Sequence, residues 1–206
     1  MAFHAPRSRA RFQQEIKKSR FIGIVAPVSS LEEADRELQQ ARLEFPDATH
    51  YCWAYVLGNP ESGAAMRFDD AGEPAGTAGK PILNVLQRRK VGNAIVIVVR
   101  FFGGIKLGAG GLVRAYSGTA SRVLEEVELV PVTPRSAVRL HIDFGDEPAV
   151  RRLLARLGIE IQSADYTSGE VVLRASASEE ERALLLEQIA AITAGRARIE
   201  IATDRL

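Results

Sequence analysis

Two stretches of the chain concentrate residue types that can do chemistry. The first is Asp69-Asp70-Ala71-Gly72-Glu73-Pro74-Ala75-Gly76-Thr77-Ala78-Gly79-Lys80-Pro81. Asp69, Asp70 and Glu73 place three carboxylates within five residues, glycines recur at 72, 76 and 79, and Lys80 stands where a helix opens. Glycines let backbone N–H groups come close to an anion, and a helix N-terminus favours negative charge, so residues 77–80 read as a phosphate cradle. The three acids are hard oxygen ligands suited to magnesium, which gives a second reading. A third is a structural turn whose acids cap the backbone around them. The stretch is not a P-loop: Pro74 stands where the earlier glycine belongs, and Pro81 replaces the Ser or Thr that should follow the lysine.

The second stretch is Arg100-Phe101-Phe102-Gly103-Gly104-Ile105-Lys106-Leu107-Gly108-Ala109-Gly110-Gly111-Leu112-Val113-Arg114. It runs from a strongly apolar strand into a helix, a place where anion sites form. It is not a dinucleotide fingerprint, because reading G-x-G-x-x-G from Gly108 puts Val113 in the last position. Lys106 and Arg114 add positive charge, and Phe101 and Phe102 add aromatic faces, a mixture that suits single-stranded nucleic acid. Equally, the phenylalanines read as core and the glycines as tight packing. His50 and Cys52 are two apart and share one face of a strand. Nothing nearby supplies the third group that an activated thiolate needs, so Cys52 reads as buried and structural, and His50, beside the acidic loop, as the site residue. His4 falls in a solvated terminus, and His141 alternates with apolar residues as a structural strand position.

The elements that must position these residues follow from periodicity. Residues 21–25 are apolar on both faces and predict an internal strand. Ser30 and Glu33 form a capping-box pattern before a helix that ends at Pro46. Residues 51–57 predict a strand, 65–68 a short partner strand, and Lys80 the start of a helix. Residues 94–99 are the strongest strand in the chain. A loop with five glycines spans 103–111, and a long helix follows it. After the prolines at 131 and 134, the pattern predicts strand 137–144, helix 147–157, strand 159–166, strand 171–175, helix 179–192 and strand 198–202. That order is β-α-β-β-α-β, the ferredoxin-like plan.

The 206 residues carry a net charge of +1, with 46% hydrophobic and 26% charged side chains, so disorder, collagen and disulfide scaffolds are excluded. The longest uncharged apolar run, 94–99, is far short of the ~18 residues a membrane span needs, and no secretory signal is visible. One cysteine allows no intrachain disulfide and agrees with a cytoplasmic location. The charge is uneven: residues 1–130 sum to +3 and 131–206 to −2. A local basic face therefore survives inside a near-neutral total.

Taken together, the two stretches and Lys17-Lys18-Ser19-Arg20-Phe21-Ile22-Gly23 resemble the YigZ/IMPACT family, and the resemblance runs from there to the C-terminus. It implies an α+β protein: an N-terminal βαβ domain similar to domain IV of elongation factor G, and a C-terminal ferredoxin-like domain similar to domain V of elongation factor G. The expected organisation is 1–130 for the first domain, 131–134 for a linker and 135–206 for the second domain.

The expected function is non-enzymatic. The protein would bind RNA, the ribosome or a translation-regulatory protein, with no cofactor, no metal and no membrane contact. Phosphate contact is assigned to Lys17, Lys18, Arg20, Thr77, Gly79, Lys80, Arg100, Gly103, Gly104, Lys106, Gly108, Gly110, Gly111 and Arg114. His50, Asp69, Asp70 and Glu73 are assigned to a pocket that orders the loop or meets a basic group. The rival reading is a phosphate-handling enzyme in which His50, Asp70, Glu73 and Lys80 converge.

Overall fold

The apolar run at 94–99 lies at the centre of the first sheet. In the computed structural model, which describes residues 3–61 and 65–201, the chain divides into two compact units, Met1–Val132 and Thr133–Leu206. The first contains β1 (Phe3–Pro6), β2 (Ala10–Ile16), β3 (Ser19–Pro27), α1 (Leu31–Glu44), β4 (His50–Leu57), β5 (Ala65–Asp69), α2 (Gly79–Arg88), β6 (Ala94–Phe101), α3 (Ala109–Val123) and β7 (Leu129–Val132). Five strands form one sheet in the order β2-β3-β6-β4-β5, every neighbouring pair antiparallel.

Successive side chains of a strand point to opposite faces, so β3 and β6 can be apolar throughout only if both faces are covered. They are. Phe21, Val25, Val96 and Val98 pack with Ile82 and Leu86 of α2 and Leu112, Tyr116 and Ala120 of α3. Ile22, Ile24, Ile95, Ile97 and Val99 pack on the other face with Ala34 and Ala41 of α1. Ser30 caps α1 by accepting the Glu33 N–H at 3.3 Å. The reciprocal half of the expected capping box is shifted by one residue: the Glu33 carboxylate accepts from the Ser29 N–H at 2.7 Å and the Ser29 hydroxyl at 2.9 Å.

Three expectations are corrected. The terminus around His4 is not a free tail, because β1 is a strand paired with β7. Pro131 and Val132 are not linker but part of β7, paired with His4 and Phe3. Pro131 is tolerated there because His4 turns its backbone the other way, its N–H to Lys90 and its carbonyl to the Gly92 N–H, each at 2.9 Å. The missing proline N–H therefore costs no ladder bond. The glycine-rich loop is also shorter than expected, since α3 begins at Ala109 and takes Gly110 and Gly111 into its first turn.

The second unit contains β8 (Arg135–Ile142), α4 (Glu147–Arg156), β9 (Ile161–Tyr166), β10 (Val171–Ser178), α5 (Glu179–Ile192) and β11 (Arg198–Ile201). Its β-α-β-β-α-β order is the one the periodicity predicts, and its antiparallel sheet runs β11-β8-β10-β9. Leu140, Leu173, Leu154 and Leu185 are fully buried in its core. Ala202, expected to end the last strand, lies outside the described residues. Among the described residues, no helix is long and apolar enough to cross a membrane. Both units mix helices with antiparallel sheets, so the fold is α+β.

Candidate functional site

Register brings the singled-out stretches to one end of the first sheet. His50, the first residue of β4, pairs with Arg100 near the end of β6. Phe21, two residues past the start of β3, pairs with the same Arg100 from the other side. The β2–β3 turn, the loop from β5 to α2 and the loop from β6 to α3 all issue from that end.

Glu73 lies at the centre. Its Oε1 accepts from Arg100 Nη1 at 2.5 Å and from the Tyr116 hydroxyl at 2.7 Å. The two charged side chains are only 4% and 5% exposed. Arg100 Nη2 donates to Ser19 Oγ at 3.3 Å, and the guanidinium lies 5.4 Å from the rings of both Phe21 and Phe102. Among the described residues, Arg100 Nε has no hydrogen-bond partner. His50 Nδ1 lies 2.9 Å from the Ala71 carbonyl. A carbonyl can only accept, so Nδ1 carries the proton in the neutral ring and Nε2 faces Glu73 Oε1, 3.8 Å away. Cys52 donates its thiol to the Asp70 carbonyl at 3.0 Å. Burial pushes that thiol up to about 12, and burial likewise pushes the Tyr116 hydroxyl up. Both are therefore neutral at physiological pH.

The acidic loop holds an anion of its own. Asp70 Oδ1 accepts from the Ala78 and Gly79 N–H groups at 2.9 and 2.8 Å, and Oδ2 from the Gly76 N–H at 2.7 Å. Two of these donors, Ala78 and Gly79, lie in the stretch 77–80 expected to cradle a phosphate, and the Thr77 N–H is held by Pro74 O at 3.1 Å, so the phosphate assignment of Thr77 and Gly79 is corrected. Thr77 is buried and donates its hydroxyl to Pro74 O at 2.6 Å. Gly79 is needed for close approach, since a Cβ there would fall 2.6 Å from Asp69 O. Asp69 caps the Ala71 N–H at 2.6 Å. The three acids thus diverge, and among the described residues no group of three His, Cys, Asp or Glu side chains gathers as metal ligands. Arg100 also differs from its expected role: it faces inward and neutralises Glu73.

The remaining basic residues are exposed. Lys17 and Lys18 form the two-residue β2–β3 turn with φ of 47° and 64°. That geometry favours Asn-Gly, and two non-glycine residues there cost of order 1 kcal/mol each. Gly103 lies directly against them: a Cβ at 103 would fall 2.0 Å from the backbone of Lys18. The Gly103 N–H donates to Ser19 Oγ at 3.1 Å, which ties the loop to the hairpin. Arg20 stacks over Phe101 at 4.0 Å. Phe102 is 47% exposed, and Ile105 and Lys106 follow it at the surface. Gly104 and Gly108 have open space beside them, and Gly111 lies against Leu107. Lys80 and Arg114 stand exposed on α2 and α3.

Two members of this site were not assigned from the sequence. Ser19 falls there in the basic run before the strand at 21–25, and Tyr116 on the inward face of the long helix after the glycine loop. A buried tyrosine hydroxyl must find a partner, and that was the available signal.

Known proteins resemble the chain along most of its length. The Impact N-terminal domain matches residues 17–124 and a domain of unknown function, DUF1949, matches residues 140–196. An "IMPACT family member" of Haemophilus influenzae is 41% identical over 78% of this chain and 78% of its own. "IMPACT family member YigZ" of Escherichia coli is 40% identical over 74% of this chain and 75% of its own. A crystal structure of a hypothetical protein superposes with a TM-score of 0.72 at 34% identity, covering 100% of this chain and 98% of that one. A crystal structure of a Thermus thermophilus protein, 7% identical, superposes at 0.55 over 98% of this chain and 28% of its own, and speaks to the fold alone.

Proposed function

The chain belongs to the IMPACT family, and from that premise we propose that it is a non-enzymatic, cytoplasmic, translation-associated protein that binds RNA or the ribosome at the loop end of its first unit. We read its two units as similar to domains IV and V of elongation factor G. The contact surface is Lys17, Lys18, Arg20, Phe102, Gly103, Gly104 and Lys106. One observation carries the reading: two lysines occupy turn positions that a hairpin normally gives to Asn-Gly, with an exposed phenylalanine loop packed against them. Stability is given up to set two cations beside an aromatic face, the combination that holds a single strand through phosphate contact and base stacking.

The enzymatic alternative has less support. His50 and Glu73 do meet, but Asp70 is committed to three backbone N–H groups and Glu73 to Arg100 and Tyr116. Catalysis would require at least two groups to leave their partners. The test is fluorescence anisotropy with labelled single-stranded RNA across a salt series. Binding that weakens with salt, and weakens further in Lys17→Ala/Lys18→Ala, is expected because phosphate contacts release counterions. No binding, or binding indifferent to salt, rejects the proposal.

A further inference from the structure

A second cationic feature lies between α2 and α3. A groove of about 370 Å³ runs between these helices, lined by Arg88, Arg89, Arg114, Ser117, Gly118 and Ser121, with Val85 as its apolar contact. Among the described residues, no acidic residue lines it. Arg89 is fixed as a wall: its Nη2 donates to Ser121 Oγ at 2.7 Å and to Glu125 Oε1 at 2.8 Å. Glu125 is the nearest acid in this network, and Arg122 also pairs with it, at 3.4 Å. Arg88 and Arg114 are exposed and form no ion pair with any described residue.

The floor of the groove is unusual. Gly118 lies mid-helix, where glycine weakens a helix relative to alanine. Internal packing does not require it, because a Cβ at 118 would meet nothing within 4 Å. What the missing side chain leaves is open space between the arginines. On α2, Lys80, Asn84 and Arg88 recur at intervals of four and are all exposed, so a polar face continues from Arg88 to a second cation at the helix start. Eight residues of helix span about 12 Å.

We propose that the α2–α3 groove takes the phosphodiester backbone of an RNA strand, with Arg88 and Arg114 contacting phosphates and Gly118 admitting the backbone to the floor. The inference rests on the RNA-binding reading above but places a second contact on different residues. Two guanidiniums without an ion pair among the described residues, Arg88 and Arg114, complement a polyanion beside the Arg89 wall that Glu125 neutralises, and arginine suits phosphate because its planar fork donates two parallel hydrogen bonds.

The experiment uses the full chain and labelled single-stranded RNA in a salt series. Arg88→Ala/Arg114→Ala is expected to weaken binding by roughly tenfold or more. It should also lower the salt slope by about two, one for each phosphate that is no longer neutralised. Gly118→Leu, which fills the floor without changing charge, is expected to weaken binding while the urea midpoint does not fall. If that variant does not fold, Arg88→Glu/Arg114→Glu takes its place. Wild-type affinity in Arg88→Ala/Arg114→Ala, alongside weakened binding in Lys17→Ala/Lys18→Ala, overturns the groove and leaves the sheet-end reading standing. Equal competition by polyglutamate overturns it in favour of an acidic protein. Absence of RNA binding by the wild-type chain overturns both.

Discussion

Glu73 and Arg100 meet inside the first unit at 2.5 Å, each side chain almost sealed from solvent. One comes from the loop after β5 and the other from the end of β6, so the pair ties an irregular segment to the most buried strand. Removing one partner strands the other charge in a poor solvent. Glu73→Gln is therefore expected to cost about 3–5 kcal/mol in urea unfolding. Glu73→Gln/Arg100→Met is expected to recover part of that loss, because it removes both charges. A double variant no more stable than Glu73→Gln would show that the two side chains are not coupled.

Alkaline pH should destabilise the fold through Cys52. Its folded thiol is raised to about 12 from an ordinary value of 9.0. Above 9 the unfolded chain sheds this proton while the folded chain keeps it, so stability is full below 9 and falls between 9 and 12. The slope is about 1.4 kcal/mol per pH unit for one such group. Tyr116, also raised, adds to the fall once pH exceeds its ordinary value of 10.0. Urea midpoints at pH 8.0 and 10.5 should show the drop, and Cys52→Ala should flatten it. The same thiol is expected to react with a disulfide reagent at pH 8 only after unfolding.

Asp70→Ala is expected to loosen the acidic loop more than Asp69→Ala. Asp70 satisfies three backbone N–H groups and Asp69 one. Bonds to a charged acceptor contribute about 1.5–3 kcal/mol each when made. Hydrogen exchange at residues 76, 78 and 79 should accelerate in Asp70→Ala and stay slow in Asp69→Ala.

Two glycines should respond oppositely to alanine. Gly118→Ala is expected to raise stability by roughly 0.5–1 kcal/mol, since the helix gains and nothing is struck. Gly103→Ala drives a methyl into the Lys18 backbone and is expected to cost about 1–3 kcal/mol. Thermal unfolding of the two variants measures both.

Much of the architecture was legible because burial is written as periodicity. Residues 21–25 read as apolar on both faces and 94–99 as the strongest strand, and β3 and β6 are buried on both sides. The second unit followed from alternation and helical spacing alone. What escaped was set by partners distant in sequence. β1 has four residues and no repeat long enough to show a period, and its pairing with β7 depends on how segments at opposite ends of the unit come together. The site divided the same way. Its residue types were visible, but not their direction. Arg100 looks like any basic residue beside a glycine loop until the register opposes it to Phe21 and His50 and turns it inward. Asp70 looks like a metal ligand until the loop closes around it. Backbone N–H groups carry no letter in a sequence, so an anion site already filled from within could not be distinguished from an empty one.

The β1–β7 pair has a further consequence. Phe3 lies opposite Val132, so the two ends of the first unit are neighbours in space. A body whose ends adjoin can be circularly permuted by joining them through a short bridge and opening the chain at an exposed turn. It can also carry different fusion partners at its exit without rethreading its interior. A permutant opened at the exposed turn at Pro46 and Asp47, between α1 and β4, would test whether the first unit keeps its fold when its ends are joined.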